Sequence, residues 1–595
     1  MQTAETPARA WHEARLGALD AALAAGESWH ARLAACRLAM VAATALVAWW
    51  VFSRQALSVI WLLLPLGTFA ALVLWHALVL NAQDRRRHAR AWHARGLARL
   101  SDQWQGQGDD GRLWLDASPL AADLDLCGEG SLFQLLNTAQ TDIGAATLAA
   151  WLDAPASADD IARRQEAVRE LREAAAFREA LAVVGAGTAV SHAGALVRWA
   201  SGTSHGFTMG HARLAAGAAL VSAAAVCTAA AGLLSSPVVL VWLVAQALVA
   251  SRIRQRVHRV VHAVDAAAHE LGLLAALLDT IEATTFHAPL LQELQGTMRG
   301  QTVRPSQQLR RLRRLISARD ALRNELLRPL GALLLVRTQL AIAIDRWHSE
   351  HAAQVVSWVR AVGALEALAS IATYAHEHPD HAWPVVAAGP PRYEALGLAH
   401  ALLPHGAVSN DVALGAAAPP LLLISGSNMS GKSTLLRAVG LSVVLTNIGA
   451  PVRATALILT PLALGVSIRV SDSVQSGTSR FYAELQRLRS VVDAADRGPC
   501  LFLLDEVLAG TNSHDRRVGA DALFHRLTGS GAIGIVTTHD LALTHFADAV
   551  DAPARNAHFE DQVVADRLAF DYVLRPGVAT RSNAITLMRA VGVIS

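Results

Sequence analysis

Lysine is all but missing from this chain: Lys432 is the only one in 595 residues, and arginine supplies the rest of the 52 cationic side chains. Arginine presents a planar fork of donors and lysine a compact point charge, so the one position that keeps lysine is one whose chemistry needs the point charge. Cysteine is scarce as well. Cys36, Cys127, Cys227 and Cys500 stand far apart with no Cys-x-x-Cys or Cys/His spacing, which excludes a disulfide framework and a zinc site built from them. Net charge is small, +3, so no whole-chain field draws the protein to nucleic acid and any basic function is local. What abounds is apolar: 53% of residues, with a mean hydropathy of +0.31. Soluble domains hold about 45 to 50% apolar residues, so part of the excess faces something other than water. At a soft prior of about 150 residues per domain, the length implies roughly four units.

Charge is absent from Leu38 to Ser53 and, after Arg54, from Gln55 to Gln83. Each run approaches the roughly 20 residues that a helix needs to cross a bilayer. Arg32 and Arg37 precede the pair, and Arg85, Arg86, Arg87, Arg90, Arg95 and Arg99 follow it. By the positive-inside rule both ends are cytoplasmic, and the pair is expected to be a transmembrane hairpin, residues 38–83. A second uncharged stretch, Leu214 to Ser251, breaks at Ser235-Ser236-Pro237 and is followed by Arg252, Arg254, Arg256 and Arg259. It reads either as a second hairpin, 214–251, or as buried helices of a soluble core. Trp49, Trp50, Trp61 and Trp75 fall at the expected membrane ends or on helical apolar faces, where anchoring or packing accounts for them. The remaining divisions are an N-terminal cytosolic segment, 1–37, and helical core segments over 84–213 and 252–385. An α/β domain is expected over 386–595, after a Pro- and Gly-containing linker around His378 to Pro391.

In that last domain an apolar strand, Pro420 to Ser425, runs into Gly426-Ser427-Asn428-Met429-Ser430-Gly431-Lys432-Ser433-Thr434 and then a leucine-rich helix. This is a Walker A loop in its required setting. Glycines let backbone amides close on phosphates, the helix N-terminus adds partial positive charge, Lys432 reaches the β- and γ-phosphates, and Ser433 ligates Mg²⁺ of bound ATP. A second apolar strand, Cys500 to Leu504, ends in Asp505-Glu506, the form of a Walker B element: Asp505 for Mg²⁺, Glu506 for the attacking water. A third strand, Ala532 to Thr538, ends at His539, a candidate γ-phosphate contact.

The wording and order of GSNMSGKSTLLRAVGL, SIRVSDSVQSGTSRFYAEL, LFLLDEVLAGTNSHD and TTHD resemble the MutS family ATPase. So do YVLRPGVATRSNAITLMRAVGV downstream, and VSNDVALG and SLFQLLNTAQTDIGAATLAAWL upstream. The resemblance implies an ABC-type ATPase preceded by an all-α lever and core, here interrupted by the transmembrane helices. It also implies a homodimer in which Ser476, Gly477 and Ser479 complete the partner's site, and a place for Asn410 and Asp411 near the nucleotide.

Three departures bear on function. The space of the family's mismatch-reading domain holds the first hairpin, and Phe177-Arg178-Glu179, which matches the family's Phe-x-Glu probe, lies inside a helical stretch and reads as chance. Leu508 and Ala509 stand where the family usually has Gly and Arg, and Arg480 where Thr is usual. The second hairpin interrupts the helices of the lever and clamp.

Two further clusters have a bland and a sharp reading. Arg304, Arg310, Arg311, Arg313, Arg314, Arg319 and Arg323 are either DNA-phosphate contacts or a solvated helix face. His376, His378, Asp380 and His381 match no zinc pattern and read as a solvated turn. The expected whole is an inner-membrane, multi-pass ATPase with its catalytic domain in the cytoplasm, in contact with lipids and with double-stranded or branched DNA. The rival is a mechanochemical ATPase acting on a protein or membrane component without DNA. A transporter fits poorly, because the apolar segments are few and no LSGGQ-like signature is present.

Overall fold

The computed structural model describes residues 6–185, 194–265, 267–298, 303–321, 328–427, 429–469, 480–548, 552–564 and 567–578. Thr6, whose hydroxyl accepts from the Arg9 amide, and Pro7 at the first helical position start α1, Pro7–Phe52. No proline or glycine interrupts the chain between Glu27 and Phe52, so the helix carries straight through residue 37. No break in the helix marks the boundary expected there. A short turn and a 3₁₀ segment, Val59–Leu62, lead into α2, Leu63–Leu100, which packs back along α1.

The helical core follows. Helices α3 to α8 are Pro119–Asp123, Leu132–Leu136, Asp142–Asp153, Ala158–Glu173, Ala175–Gly185 and Gly194–Ser201. Thr141 and Ser157 cap α5 and α6 by accepting from the amides of Gly144 and Asp160. A second hairpin, α9 (Met209–Ala230) and α10 (Ser236–Asp265), is followed by α11 (Ala268–Glu282), α12 (Pro289–Met298), α13 (Pro305–Ala321), α14 (Arg328–Leu333) and α15 (Val336–Glu377). Helices α5, α6, α7, α8, α12 and α13 pack around α15, which is the axis of the core.

Among the described residues, five helical stretches are long and apolar enough to cross a membrane, by length and composition alone: those of α1, α2, α9, α10 and α15. Protein buries 78% of the apolar window of α15, against 6%, 11%, 17% and 6% in the other four. The apolar character of α15 is therefore used by the core, while the two hairpins keep theirs uncovered.

The first hairpin is pinned to α15 at its foot. Arg99 donates from Nε and Nη2 to the two carboxylate oxygens of Glu377 at 2.6 and 2.5 Å. His12 lies with Nε2 3.5 Å from Glu377 and Nδ1 2.9 Å from Nδ1 of His93. Gly96 makes room for this: a Cβ there would meet the His12 ring at 2.3 Å. Burial alone would lift the Glu377 carboxyl, but the Arg99 guanidinium holds it well below the usual carboxylate range.

Beyond Glu377 the chain becomes α/β. One sheet has the order β1-β5-β2-β3, from Val385–Val386, Ala456–Leu459, Arg392–Leu398 and Asn410–Gly415. The larger sheet has the order β10-β9-β4-β8-β7-β6. Its strands are β4 (Leu421–Ser425), β6 (Ala463–Ser467), β7 (Cys500–Asp505), β8 (Ile533–Thr538), β9 (Ala554–Val564) and β10 (Arg567–Pro576). Strands β6, β7, β8, β4 and β9 are parallel, and only β10 is antiparallel to its neighbour. Every residue of β4 and β8 is buried, which is why these strands read as continuous apolar runs rather than alternating ones. Helices α16 (Lys432–Asn447), α17 (Arg480–Arg497) and α18 (Ser513–Gly529) complete the domain. The helical core meets it through Arg164, whose Nη1 donates to the Asn447 carbonyl at 2.7 Å, and Gln165, which reaches the Pro384 carbonyl at 2.9 Å.

Candidate functional site

Parallel pairing places Ser425 beside Thr538 and Asp505 beside Thr537, so the ends of β4, β7 and β8 open together. Ligands bind at that edge of open parallel sheets, where loops and helix N-termini converge. Gly426 (φ 155°) and Gly431 (φ 106°) turn the chain there, and Gly431 caps α16 in a left-handed conformation. A side chain at either glycine would crowd the loop: a Cβ would lie 3.0 Å from Ser430 Oγ and 3.2 Å from the Tyr572 ring, respectively. Lys432 Nζ donates to the carbonyls of Gly426 and Ser427 at 2.9 and 2.7 Å. Ser433 Oγ donates to Asp505 Oδ2 at 2.5 Å, and the other carboxylate oxygen accepts from the Thr537 hydroxyl. Glu506 follows at φ 51°, its amide donating to the Thr537 carbonyl at 3.1 Å, and His539 Nδ1 lies 3.5 Å from its carboxylate.

Lys432, Ser433, Thr434, Asp505, Glu506, Met429 and Asn410 line a cavity of about 950 Å³, and His539 stands behind Glu506 without lining it. The far wall was not legible in sequence: His400 and Val408 come from the loop between β2 and β3, Phe559 from β9 and Tyr572 from β10. Asn410 belongs to that wall by holding it. Its side-chain amide donates to the Tyr572 carbonyl at 3.0 Å, and its Oδ1 accepts from the Leu574 amide at 2.7 Å. Asp411 does not join the cleft. Its carboxylate accepts from the Gly397 amide at 2.7 Å, because successive residues of β3 point to opposite faces. Burial and the nearby Arg437 push the His400 imidazole down to about 4, so it is neutral at physiological pH. Asn428, Ser476, Gly477 and Ser479 lie outside the described residues.

The loop behind Glu506 is tied from two sides. Glu484 on α17 accepts from the Leu508 amide at 2.5 Å, and Arg516 on α18 donates to the carbonyls of Leu508, Ala509 and Thr511. Leu508 sits at φ 57°, a conformation that glycine adopts freely, which explains the glycine usual at this position in the family it resembles. Glu484 stands inside one of the strings that carry the resemblance, but nothing in the string marks its contact. Its importance follows only from α17 running behind the Walker B loop.

Residues 422–594 match the family model for MutS domain V. The C-terminal domain belongs to the MutS family. The DNA mismatch repair protein MutS of Natronomonas pharaonis is 36% identical over 264 residues, which are 43% of this chain and 29% of that protein. Endonuclease MutS2 of Thermus thermophilus is 35% identical over 199 residues, 33% of this chain and 26% of its own. DNA mismatch repair protein MutS of Sorangium cellulosum is 32% identical over 249 residues, 39% of this chain and 26% of its own. The chain thus spans less than a third of the length of each of these relatives.

The other clusters resolve differently. Phe177 packs edge-on against Phe286, Arg178 is buried against the Leu171 and Arg172 carbonyls, and Glu179 pairs with Arg15, so that tripeptide is structural in the helical core. On α13, Arg310 pairs with Asp279, and Arg319 with Asp265 and Asp320. The turn expected near residue 380 is present, with Pro379 and Asp380 exposed, but its histidines are half-buried rather than solvated. His378 stacks on His381 at 4.7 Å, and the Tyr374 hydroxyl meets His381 at 3.1 Å. Among the described residues no group of three or more His, Cys, Asp or Glu is placed to hold a metal on its own.

Proposed function

We propose that this protein is a Mg²⁺-dependent ATPase of the MutS type, anchored in a bilayer by its two hairpins, that closes as a homodimer on ATP and so gates contact with DNA. The observation that carries the reading is the meeting of Lys432, Ser433, Asp505 and Glu506 at one cleft in a MutS domain V, with His539 beside Glu506. Two hard oxygen donors within 2.5 Å of each other, Ser433 Oγ and Asp505 Oδ2, suit Mg²⁺, which when bound neutralises phosphate charge. Lys432 and the loop amides would hold the β- and γ-phosphates, and the aromatic and apolar wall around Tyr572 and Val408 would take the base. Glu506 would orient the attacking water and receive its proton, with His539 fixing the carboxylate and meeting the γ-phosphate. Ser479 would reach across the dimer to complete the partner's site.

Support for the membrane comes from the uncovered apolar faces and from the placing of tryptophan. On α1, Trp29 pairs with Trp75 of α2 at 6.0 Å, and Trp49 lies against Arg54 and Trp50 near the hairpin tip. The uncharged part of α1, from Leu38 to Phe52, rises about 21 Å along the helix, most of the roughly 30 Å of a hydrocarbon core. DNA enters the proposal through the relatives, which are named for mismatch repair. One observation favours the second reading, action on a protein or membrane component: Arg310 and Arg319 of the basic stretch already have carboxylate partners. Binding of the purified protein to homoduplex, mismatched and branched DNA, with and without ATP, separates the two. DNA gating requires ATP-dependent affinity that falls steeply between about 50 and 200 mM salt. Absence of binding at the low end removes DNA and leaves the second reading.

A further inference from the structure

A cavity of about 1080 Å³ lies between α10, α14 and the start of α15, and shares no lining residue with the nucleotide cleft. Helix α14 is short, and Leu335 (φ 50°) then reverses the chain into α15. A string of polar side chains pins it there. Gln246, in the middle of the apolar stretch of α10, donates from Nε2 to the Leu333 carbonyl at 2.9 Å, and its Oε1 accepts from Ser222 of α9. Trp242 Nε1 donates to the same Ser222 hydroxyl at 2.9 Å. Polar groups set in an apolar layer are costly unless paired, and here they pair with one another and with α14.

The cavity has two ends of different chemistry. Its inner wall is apolar, with Leu243 and Ala247 on one side and Leu330 and Leu333 on the other. At the other end stand Arg254 and His258, one and two turns beyond Ser251, and Arg337 in the first turn of α15. Among the described residues no acidic side chain lines it. The N-terminus of α15 has no side-chain cap, so the helix dipole adds to the positive end.

An apolar limb that ends in cations where the chain leaves the apolar layer matches one kind of molecule. We propose that this cavity binds an anionic phospholipid of the cytoplasmic leaflet, its acyl chain along Leu243 and Leu330 and its head-group phosphate at Arg254 and Arg337. The proposal rests on the membrane placement of the hairpins. A seated lipid would link the membrane hairpin directly to α15, the helix that leads to the ATPase domain.

The test uses the full chain extracted in detergent, with phosphatidylglycerol and phosphatidylcholine of identical acyl chains as probes and retained lipid read by mass spectrometry. Wild type is expected to prefer phosphatidylglycerol. Arg254→Gln with Arg337→Gln should weaken phosphatidylglycerol by about fivefold per arginine, roughly 25-fold together, and leave phosphatidylcholine unchanged. Both side chains are exposed, so the variant is expected to fold. Ala247→Phe, which narrows the apolar limb, should weaken both lipids. Equal retention of the two lipids by the wild type, or unchanged phosphatidylglycerol in the double variant, overturns the site. Displacement of phosphatidylglycerol by an equal concentration of glycerol phosphate overturns the role of the acyl limb. A carbonate wash of membranes distinguishes the underlying reading: a wild-type chain that washes off refutes the membrane placement and the lipid site together, whereas a resistant chain that fails the lipid arms loses the lipid site alone.

Discussion

At Lys432 the ammonium is held by two carbonyls of its own loop, at 2.9 and 2.7 Å, a spacing that suits a compact cation with three donors. A guanidinium is longer and planar, so Lys432→Arg is expected to fail along with Lys432→Ala, each losing at least about 100-fold in ATP turnover through weakened phosphate binding. Glu506→Gln should lose as much turnover while still holding ATP, because only the water loses its partner. Steady-state hydrolysis with filter-retained nucleotide distinguishes the two routes, and normal hydrolysis in any of the three overturns the assignment. His400 gives a prediction in pH. Its imidazole titrates near 6.5 when unfolded and about 4 in the fold, so its contribution is complete above pH 6.5 and is lost as pH falls through 4. Between pH 7 and 5 the nucleotide-free protein should lose up to about 2 kcal/mol from this residue alone. His400→Gln should flatten the dependence of the denaturation midpoint by that amount, and an unchanged slope would show that the imidazole is not desolvated.

Among the elements, the short helix α3 does more than its five residues suggest. The carboxylate of Asp123, at its end, is fully buried and accepts from the amides of Ile468 and Arg469 at 3.4 and 2.9 Å and from Arg487 Nη1 at 2.6 Å. Asp125 pairs with Arg469, and the Asp123 carbonyl accepts from Arg437 Nε of α16. One segment of the helical half thus holds the end of β6, the start of α16 and the face of α17. Asp123→Ala leaves Arg487 without its partner and is expected to destabilise the protein by about 3 kcal/mol, read from a denaturant midpoint. A change under about 1 kcal/mol would mean that water replaces the carboxylate and that α3 is a bystander. None of this was visible in sequence, where Asp123 is one acid in an ordinary Ala-Asp-Leu-Asp-Leu run. The strands and the Walker helix, by contrast, were legible, because burial on both faces writes itself as a continuous apolar run bounded by glycine.

At the scale of the whole molecule, two apolar hairpins and a nucleotide cleft share one chain. With Cys36 and Cys227 replaced, cysteines at Arg54 and Ser236 should both label from the outer side of the membrane. Labelling of the second only from the cytoplasm would make α9 and α10 an interfacial or buried pair. If Ser479 completes the partner's site, a Lys432→Ala chain and a Ser479→Ala chain are each inactive, yet in a mixed two-fold dimer one site carries both defects and the other neither. Random exchange then restores about a quarter of wild-type activity if sites act independently. Mixtures that exchange but stay as inactive as their parents would leave Ser479 a cap within its own subunit. The sequence alone marked the glycine loop and its lysine, because phosphate binding demands both at a set spacing. It also determined where apolar helices run, because hydropathy is a local property. Only the tertiary structure decided how the apolar runs are used, covering α15 with protein and leaving the hairpins bare. It alone turned Asp411 away from the cleft and brought Tyr572, His400 and Glu484 toward it, since side-chain direction and long-range contact depend on how distant segments pack.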